Sequence, residues 1–149
     1  MNKYFMDLAF KNAEIAYNFD EVPIGAVIVK ENKVIAQSFN KKEKNQCVLA
    51  HAELFVIDEA SKLLGNWRLE NCDIYVTLDP CPMCASAIKQ ARIKNVYSAL
   101  SNSDPKLNDL INSIFESDNT NPSINFISNL DPRRSKELLN KFFKKQRNK

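Results

Sequence analysis

Apolar residues recur along the chain at two spacings, which predict alternating helices and strands. Residues 2–19 place apolar side chains every three or four positions, as in an amphipathic helix. Residues 24–29 are continuously apolar and β-branched around Gly25, which is typical of a buried strand. A polar turn separates that strand from another over residues 34–39, so the sequence predicts a hairpin.

The rest of the chain predicts further helix–strand pairs after a polar, lysine-rich loop at 40–46. The expected helices run from 51 to about Gly65, from 81 to about Arg92, over 106–117 and over 133–147, and the expected strands are 74–78, 96–100 and 124–127. The order α-β-β-α-β-α-β-α-β-α predicts an α/β fold, with a mixed five-stranded sheet covered by helices on both faces. A length of 149 residues suits one domain spanning 1–149.

Two cysteines lie where a strand passes into a helix. Cys81 and Cys84 are three residues apart, which places both thiols on one helix face, and the prolines before and after Cys81 favour a helix start there. A helix N-terminus stabilises the thiolate form that binds metals. Binding sites in α/β sheets lie beyond the carboxyl ends of strands, and Cys81 follows the end of a predicted strand.

His51 is the only histidine, and Glu53 follows it by two residues at the predicted start of another helix. Residues two apart point to different sides of a helix, so they share a site only beyond the helix end. One imidazole and two thiolates make three protein ligands, the pattern of a catalytic Zn²⁺ site that keeps a position for water. Glu53 would then be the catalytic proton carrier and not a ligand.

Other interpretations of these residues remain open. A lone C-x-x-C pair is also found in redox sites, His51 could be a hydrogen-bonded core residue, and Glu53 could simply favour the helix dipole. Cys47, four residues before His51, is a rival ligand, whereas Cys72 is expected to be a small buried residue.

H-x-E followed by P-C-x-x-C is the signature of zinc deaminases. Residues 51–53 (HAE) and 77–84 (TLDPCPMC) resemble the two zinc motifs of bacterial tRNA-specific adenosine deaminases. Residues 21–29 (EVPIGAVIV) and 137–145 (ELLNKFFKK) resemble that family's first strand and terminal helix. The resemblance covers nearly the whole chain and implies a three-layer α/β/α, cytidine-deaminase-like fold and a homodimer.

The resemblance also implies contacts with a tRNA anticodon stem-loop. Asn40 would hydrogen-bond the nucleoside and Ala26 would lie under the base, although both could be ordinary turn or strand residues. The remaining expected RNA contacts fall at the start of the first strand and on the terminal helix: Glu21, Val22, Pro23, Phe143, Lys144 and Lys145. On that helix Leu138, Leu139 and Phe142 are expected to face the core.

Charge and composition agree with an anionic partner. The net charge is +3, but residues 133–149 alone carry eight basic groups and one acid, so the preceding 132 residues sum to −4. No apolar run approaches the roughly 20 residues that span a bilayer, and the first residues are too polar for a signal peptide. We therefore expect a cytoplasmic protein without membrane contact.

The sequence departs from the resembled family at two places. Residues 103–107 (SDPKL) stand where the family has a glycine-containing segment near the RNA, and Asp79 stands where a glutamate is usual. The favoured hypothesis is a zinc-dependent deaminase that converts the wobble adenosine of tRNA to inosine. The alternatives are a deaminase of guanine, cytosine or free nucleosides, and a non-catalytic zinc-stabilised RNA-binding module.

Overall fold

The computed structural model describes residues 1–116, 118 and 121–149, which form one five-stranded sheet with helices on both sides. The strands are β1 (Gly25–Lys30), β2 (Lys33–Phe39), β3 (Cys72–Val76), β4 (Asn95–Ser98) and β5 (Asn125–Ile127). The helices are α1 (Lys3–Asn18), α2 (Lys42–Asn45), α3 (Ala52–Leu64), α4 (Pro82–Gln90), α5 (Pro105–Phe115) and α6 (Pro132–Arg147).

The sheet is mixed, as the sequence predicts. Its strand order is β2-β1-β3-β4-β5; β1 pairs antiparallel with β2 and β3, whereas β3, β4 and β5 are parallel. The parallel pairs require crossover connections, which α4 and α5 supply. The carboxyl end of β3 therefore leads directly towards α4, where the two neighbouring cysteines lie.

Alternation along the strands divides the core into two layers. In β1, Val27 and Val29 face α1, whereas Ala26 and Ile28 face the other side. The α1 side contains Phe5, Met6, Ala9, Phe10, Tyr75 and Tyr97. The opposite side contains Ala52, Val56 and Ala60 of α3, Ala85 and Ile88 of α4, and Ile111 and Phe115 of α5.

Most predicted elements are present with ends that differ by a few residues. Gly65 ends α3 in the left-handed conformation (φ 62°), as its position predicts. The predicted end of the 106–117 helix, which corresponds to α5, falls at residue 117, outside the described residues. The expected loop at 40–46 is wrong in part, because α2 forms there.

None of the helices in the described parts of the chain combines the length and apolar character that a bilayer crossing requires.

Gly25 allows α1 to approach the sheet closely. A Cβ on Gly25 would lie 2.0 Å from the Ala9 carbonyl oxygen and 2.6 Å from the Ala13 nitrogen. We predict that Gly25→Ala lowers the free energy of unfolding by about 1–3 kcal/mol, the usual cost of overpacking.

Gly65→Ala is the matched control, since nothing lies within 4 Å of its added Cβ and only the positive φ is unfavourable, at about 1 kcal/mol. Thermal and denaturant unfolding of both variants measure the difference. A Gly25→Ala protein that is no less stable than Gly65→Ala would contradict the close approach.

Candidate metal centre and active site

The first residues of α3 and α4 meet, and each helix is preceded by a ligand-type side chain. His51 (φ −92°, ψ 144°) and Cys81 (φ −70°, ψ 168°) are the N-cap residues, with the extended backbone usual there. Neither side chain caps its own helix. Asn40 compensates at α3, where its Oδ1 accepts a 2.9 Å hydrogen bond from the Ala52 N–H. Pro82, in the first turn of α4, has no N–H to satisfy.

Three donor atoms converge between these helix ends. The Nδ1 atom of His51 lies 3.8 Å from the Cys81 sulfur and 3.6 Å from the Cys84 sulfur. All three donor atoms lie within 4.8 Å of one another, close enough to hold one metal ion. Cys47 is exposed and outside this group, and Cys72 is buried in the core.

The pKa values of the two thiols shift in opposite directions. The Cys84 thiol donates a hydrogen bond to Cys81, and this bond, with backbone N–H groups and His51, lowers the pKa of Cys81 to about 5. The same bond raises the pKa of Cys84, which is also buried beside Glu53. Because metals bind the thiolate, the low pKa of Cys81 favours metal binding near neutral pH.

Glu53 is buried next to this group, with only 4% of its surface exposed. Burial raises the pKa of its carboxyl to about 7, against smaller opposing hydrogen bonds. Its Oε1 atom has no hydrogen-bond partner among the described residues. A buried carboxyl oxygen without a protein partner is costly, so its position fits a role towards a bound molecule.

Asp79 fixes the loops around the start of α4, a role that the sequence did not reveal. Its Oδ2 accepts from the Asn102 N–H at 3.2 Å and its Oδ1 from the Ser128 hydroxyl at 2.5 Å. The departure at 103–107 begins α5, where the Asp104 side chain caps the Lys106 N–H. Where the resembled family has a glycine-containing segment, this chain therefore has a helix start that the Asp104 side chain caps.

Glu21 has a different environment from the one expected. It is 2% exposed, and its two oxygens accept from the Glu43 and Lys44 N–H groups at 2.9 and 2.7 Å. These bonds hold the N-terminal turn of α2, which no local pattern predicts. The Glu21 carboxylate is therefore committed to the protein backbone and not presented to a ligand.

The neighbouring candidates are also mostly internal. Ala26 is fully buried in the core layer with α3, and Pro23 is buried, whereas Val22 is half-buried. The structure thus packs Ala26 in the core, and its expected place under the base stays a prediction. Asn40 is buried beside the start of α3, next to His51.

The two adjacent phenylalanines of the terminal helix α6 differ in exposure. Phe142 is buried and Phe143 is 46% exposed, while Leu138 and Leu139 are half-buried. Lys144 is exposed, but Lys145 lies 3.2 Å from Asp20 and 4.7 Å above the Tyr17 ring. Lys149 also pairs with Asp20, and these ammonium groups, Lys149 foremost, lower the pKa of that carboxyl.

Comparison with known proteins identifies similar chains. A model of the MafB19-like deaminase family matches residues 1–147. The tRNA-specific adenosine deaminase of Agrobacterium fabrum is 41% identical over 97% of this chain and 95% of its own length. That of Bacillus subtilis is 49% identical over 106 residues, which are 70% of this chain and 64% of the relative.

Solved structures show the same similarity. One from a study of A-to-I editing by tRNA:A34 deaminases at the wobble position is 42% identical, with a TM-score of 0.82 over 93% of this chain and all of that chain. A guanine deaminase from Bacillus subtilis is 34% identical, with a TM-score of 0.65 over 85% of both chains. The three-layer deaminase fold expected from the sequence is confirmed.

We predict that the wild-type protein binds one metal ion at this group and that a His51→Ala, Cys81→Ala double variant does not retain it, because only one of the three donors remains. Metal analysis after reconstitution and dialysis measures the stoichiometry. Cys47→Ser is the matched control, since that thiol is outside the group. Retention of one tightly bound ion by the double variant would contradict the assignment.

Proposed function

The chain belongs to the MafB19-like deaminase family, and tRNA-specific adenosine deaminases are among its relatives. We propose that it deaminates adenosine to inosine at the wobble position of a tRNA anticodon. The observation that carries the proposed chemistry is the buried, unpartnered Glu53 oxygen beside the His51, Cys81 and Cys84 group. The deaminase domain would span 1–149. A homodimer, which the resemblance implies, and a cytoplasmic location, which suits a tRNA substrate, are part of the same proposal.

Zinc is the metal that we propose for this group. Zinc–sulfur distances near 2.3 Å and zinc–nitrogen distances near 2.0–2.1 Å give tetrahedral sulfur–nitrogen edges of roughly 3.6 Å. The edges in the structure are 3.6 and 3.8 Å. Two thiolates with one imidazole also suit zinc better than magnesium or calcium, which bind oxygen.

The proposed mechanism assigns proton transfer to Glu53. When bound, zinc supplies the Lewis acidity that makes a water nucleophilic near neutral pH. Glu53 takes a proton from the water as the water oxygen forms a bond to C6 of the adenine, and it passes this proton to ring nitrogen N1. Glu53 then takes the remaining proton of the new C6 hydroxyl group and passes it to the amino group, so the C6–N6 bond breaks, ammonia leaves and a C6 carbonyl remains. A carboxyl with a pKa of about 7 can both accept and give the proton.

Substrate recognition is proposed for residues at the site's rim and on α6. The Asn40 amide N–H would donate to the nucleoside while its Oδ1 holds Ala52. Phe143 would stack on a base, and Lys144 would bind phosphate. Lys145 would contribute less, because it is already paired with Asp20. Val22 remains a candidate RNA contact, and Pro23 would shape the adjoining turn.

We predict that Glu53→Gln retains zinc and the fold but lowers kcat on an anticodon hairpin by at least about 10²–10⁴-fold, since the proton carrier is lost. Steady-state kinetics, metal analysis and thermal unfolding measure these quantities. Glu59→Gln, an exposed carboxylate on the same helix, is the matched control and should be unaffected. A Glu53→Gln enzyme within twofold of wild type would exclude this role.

The substrate class is tested by direct competition. We predict that the zinc-loaded enzyme deaminates an anticodon hairpin with adenosine at the wobble position in preference to adenosine, guanine or cytosine, measured as kcat/KM. A preference for guanine would favour the alternative suggested by the guanine deaminase similarity. Hairpin binding without turnover of any of these substrates would favour the non-catalytic RNA-binding module.

We predict that Phe143→Ala raises KM for the hairpin by about 5- to 100-fold, because one stacked base loses its partner. Lys144→Ala should reduce the slope of log affinity against log salt by about 0.7. Leu110→Ala, which removes an exposed apolar side chain from α5, is the control. Unchanged KM and salt slope in both α6 variants would show that α6 does not contact RNA.

A further inference from the structure

Two phenylalanine rings stack at the surface where α1, β2 and α2 meet. The rings of Phe19 and Phe39 are nearly parallel (3°), with centroids 6.1 Å apart, and Phe19 is 58% exposed. The Lys41 ammonium lies 4.7 Å from the Phe39 ring centre, and the Lys44 ammonium lies 5.5 Å from that of Phe19. We name these four residues the Phe19 platform.

The platform is held in place by hydrogen bonds from outside it. The two Glu21 bonds to the Glu43 and Lys44 N–H groups fix α2, which carries Lys44 over Phe19. The Lys41 N–H donates to the Ala50 carbonyl at 2.9 Å and closes the loop that contains α2. The exposed Phe19 and Lys44, together with the half-buried Phe39 and Lys41, therefore sit on a preorganised backbone, which lowers the entropic cost of binding.

The platform is continuous with the candidate active site. Phe39 directly precedes Asn40, which bonds to the first residue of α3. The Lys41 ammonium also lies 4.6 Å from the ring centre of Phe55, whose N–H donates to the His51 carbonyl. A molecule that reaches the metal site past Asn40 would therefore meet Phe39 and Lys41 nearby.

On its other side the platform adjoins the basic end of α6. Asp20, the residue after Phe19, pairs with Lys145 and Lys149, and its charge is therefore balanced by these lysines. Lys141 and Lys145 lie over Tyr17, two residues before Phe19. Cations and aromatic rings thus extend from α6 to the rim of the metal site.

An exposed aromatic ring flanked by lysines, as at Phe19, has the chemistry of single-stranded nucleic acid binding, in which bases stack and phosphates pair with cations. We propose that the Phe19 platform binds a nucleotide that flanks the target adenosine in a single-stranded RNA loop. Its base stacks on Phe19, and its phosphate is held by Lys41 and Lys44. The inference rests on the proposed RNA substrate and adds a recognition subsite away from the metal.

The test measures binding of a fluorescent anticodon hairpin to the zinc-loaded full chain, with deamination followed separately. Phe19→Ala should weaken binding about 5- to 100-fold and raise KM with little change in kcat, because stacking outside the reacting base contributes only to binding. Phe19→Trp should restore affinity. Lys44→Ala should lower the salt slope by about 0.7.

Tyr4→Ala is the matched control. Tyr4 is an aromatic residue of α1 that is 65% exposed and lies fifteen residues, or roughly 22 Å, from Phe19 along the helix direction. Its removal should leave hairpin affinity and KM unchanged. Thermal unfolding and metal content of every variant confirm that differences arise from binding.

An RNA series locates the stacked base. In this series each hairpin has a different loop nucleotide made abasic. One of these hairpins should bind wild type as weakly as the intact hairpin binds Phe19→Ala. The affinity of Phe19→Ala for that same abasic hairpin should be no lower, because both changes remove the same stacking contact. Additive losses at every position would overturn the proposal. Wild-type-like affinity of Phe19→Ala for the hairpin would also overturn it. An equal loss of affinity for heparin in that variant would do the same, because heparin has no bases that could stack on the ring.

These outcomes separate the platform from the proposed activity. If wild type binds the hairpin without deaminating it and Phe19→Ala weakens that binding, the platform is supported and the proposed reaction fails. If wild type deaminates the hairpin and Phe19→Ala binds it equally well, the proposed reaction stands and the platform is wrong.

Discussion

The meeting of two helix N-termini is the constraint on which the candidate site depends. A helix normally uses its N-cap side chain to satisfy its own first N–H groups. Here His51 and Cys81 occupy those positions and turn towards each other, while Asn40 and Pro82 reduce the demand for caps. The two helix dipoles favour thiolate over thiol, so the backbone arrangement prepares the site for a cation.

The crossover connections of the fold bring the N-termini of α3 and α4 together. β3 runs parallel to β4, and α4 crosses between them, so Cys81 emerges at the carboxyl end of β3. α3 packs on the same sheet face, as the shared core of Ala52, Val56, Ala85 and Ile88 shows. Glu53 is drawn into that interface by its place in the first turn of α3. Its burial is unfavourable for a carboxylate, which is consistent with a role in proton transfer.

Local patterns predict the elements and the group of His51, Cys81 and Cys84 that could hold a metal ion, and distant contacts account for what these patterns miss. Gly65 and the prolines around Cys81 restrict the backbone only within a few residues of their own positions, so the sequence predicts the end of α3 and the start of α4 well. The helix α2 depends on Glu21, about twenty residues earlier, and the loop before α5 depends on Asp79. No spacing rule connects such partners. The burial of Ala26 was open for the same reason, since both interpretations require a small strand residue.

X-ray absorption at the zinc edge of the reconstituted wild-type protein tests the central claim most directly, because it counts the ligands of the bound ion. Two sulfurs at about 2.3 Å and two nitrogen or oxygen atoms at about 2.0–2.1 Å are expected, with one of the light atoms from His51 and the other from solvent or substrate. The light-atom shell should change when an adenosine analogue binds. Three or four sulfur ligands, or a shell that never responds to the analogue, would contradict a catalytic centre built from His51, Cys81 and Cys84.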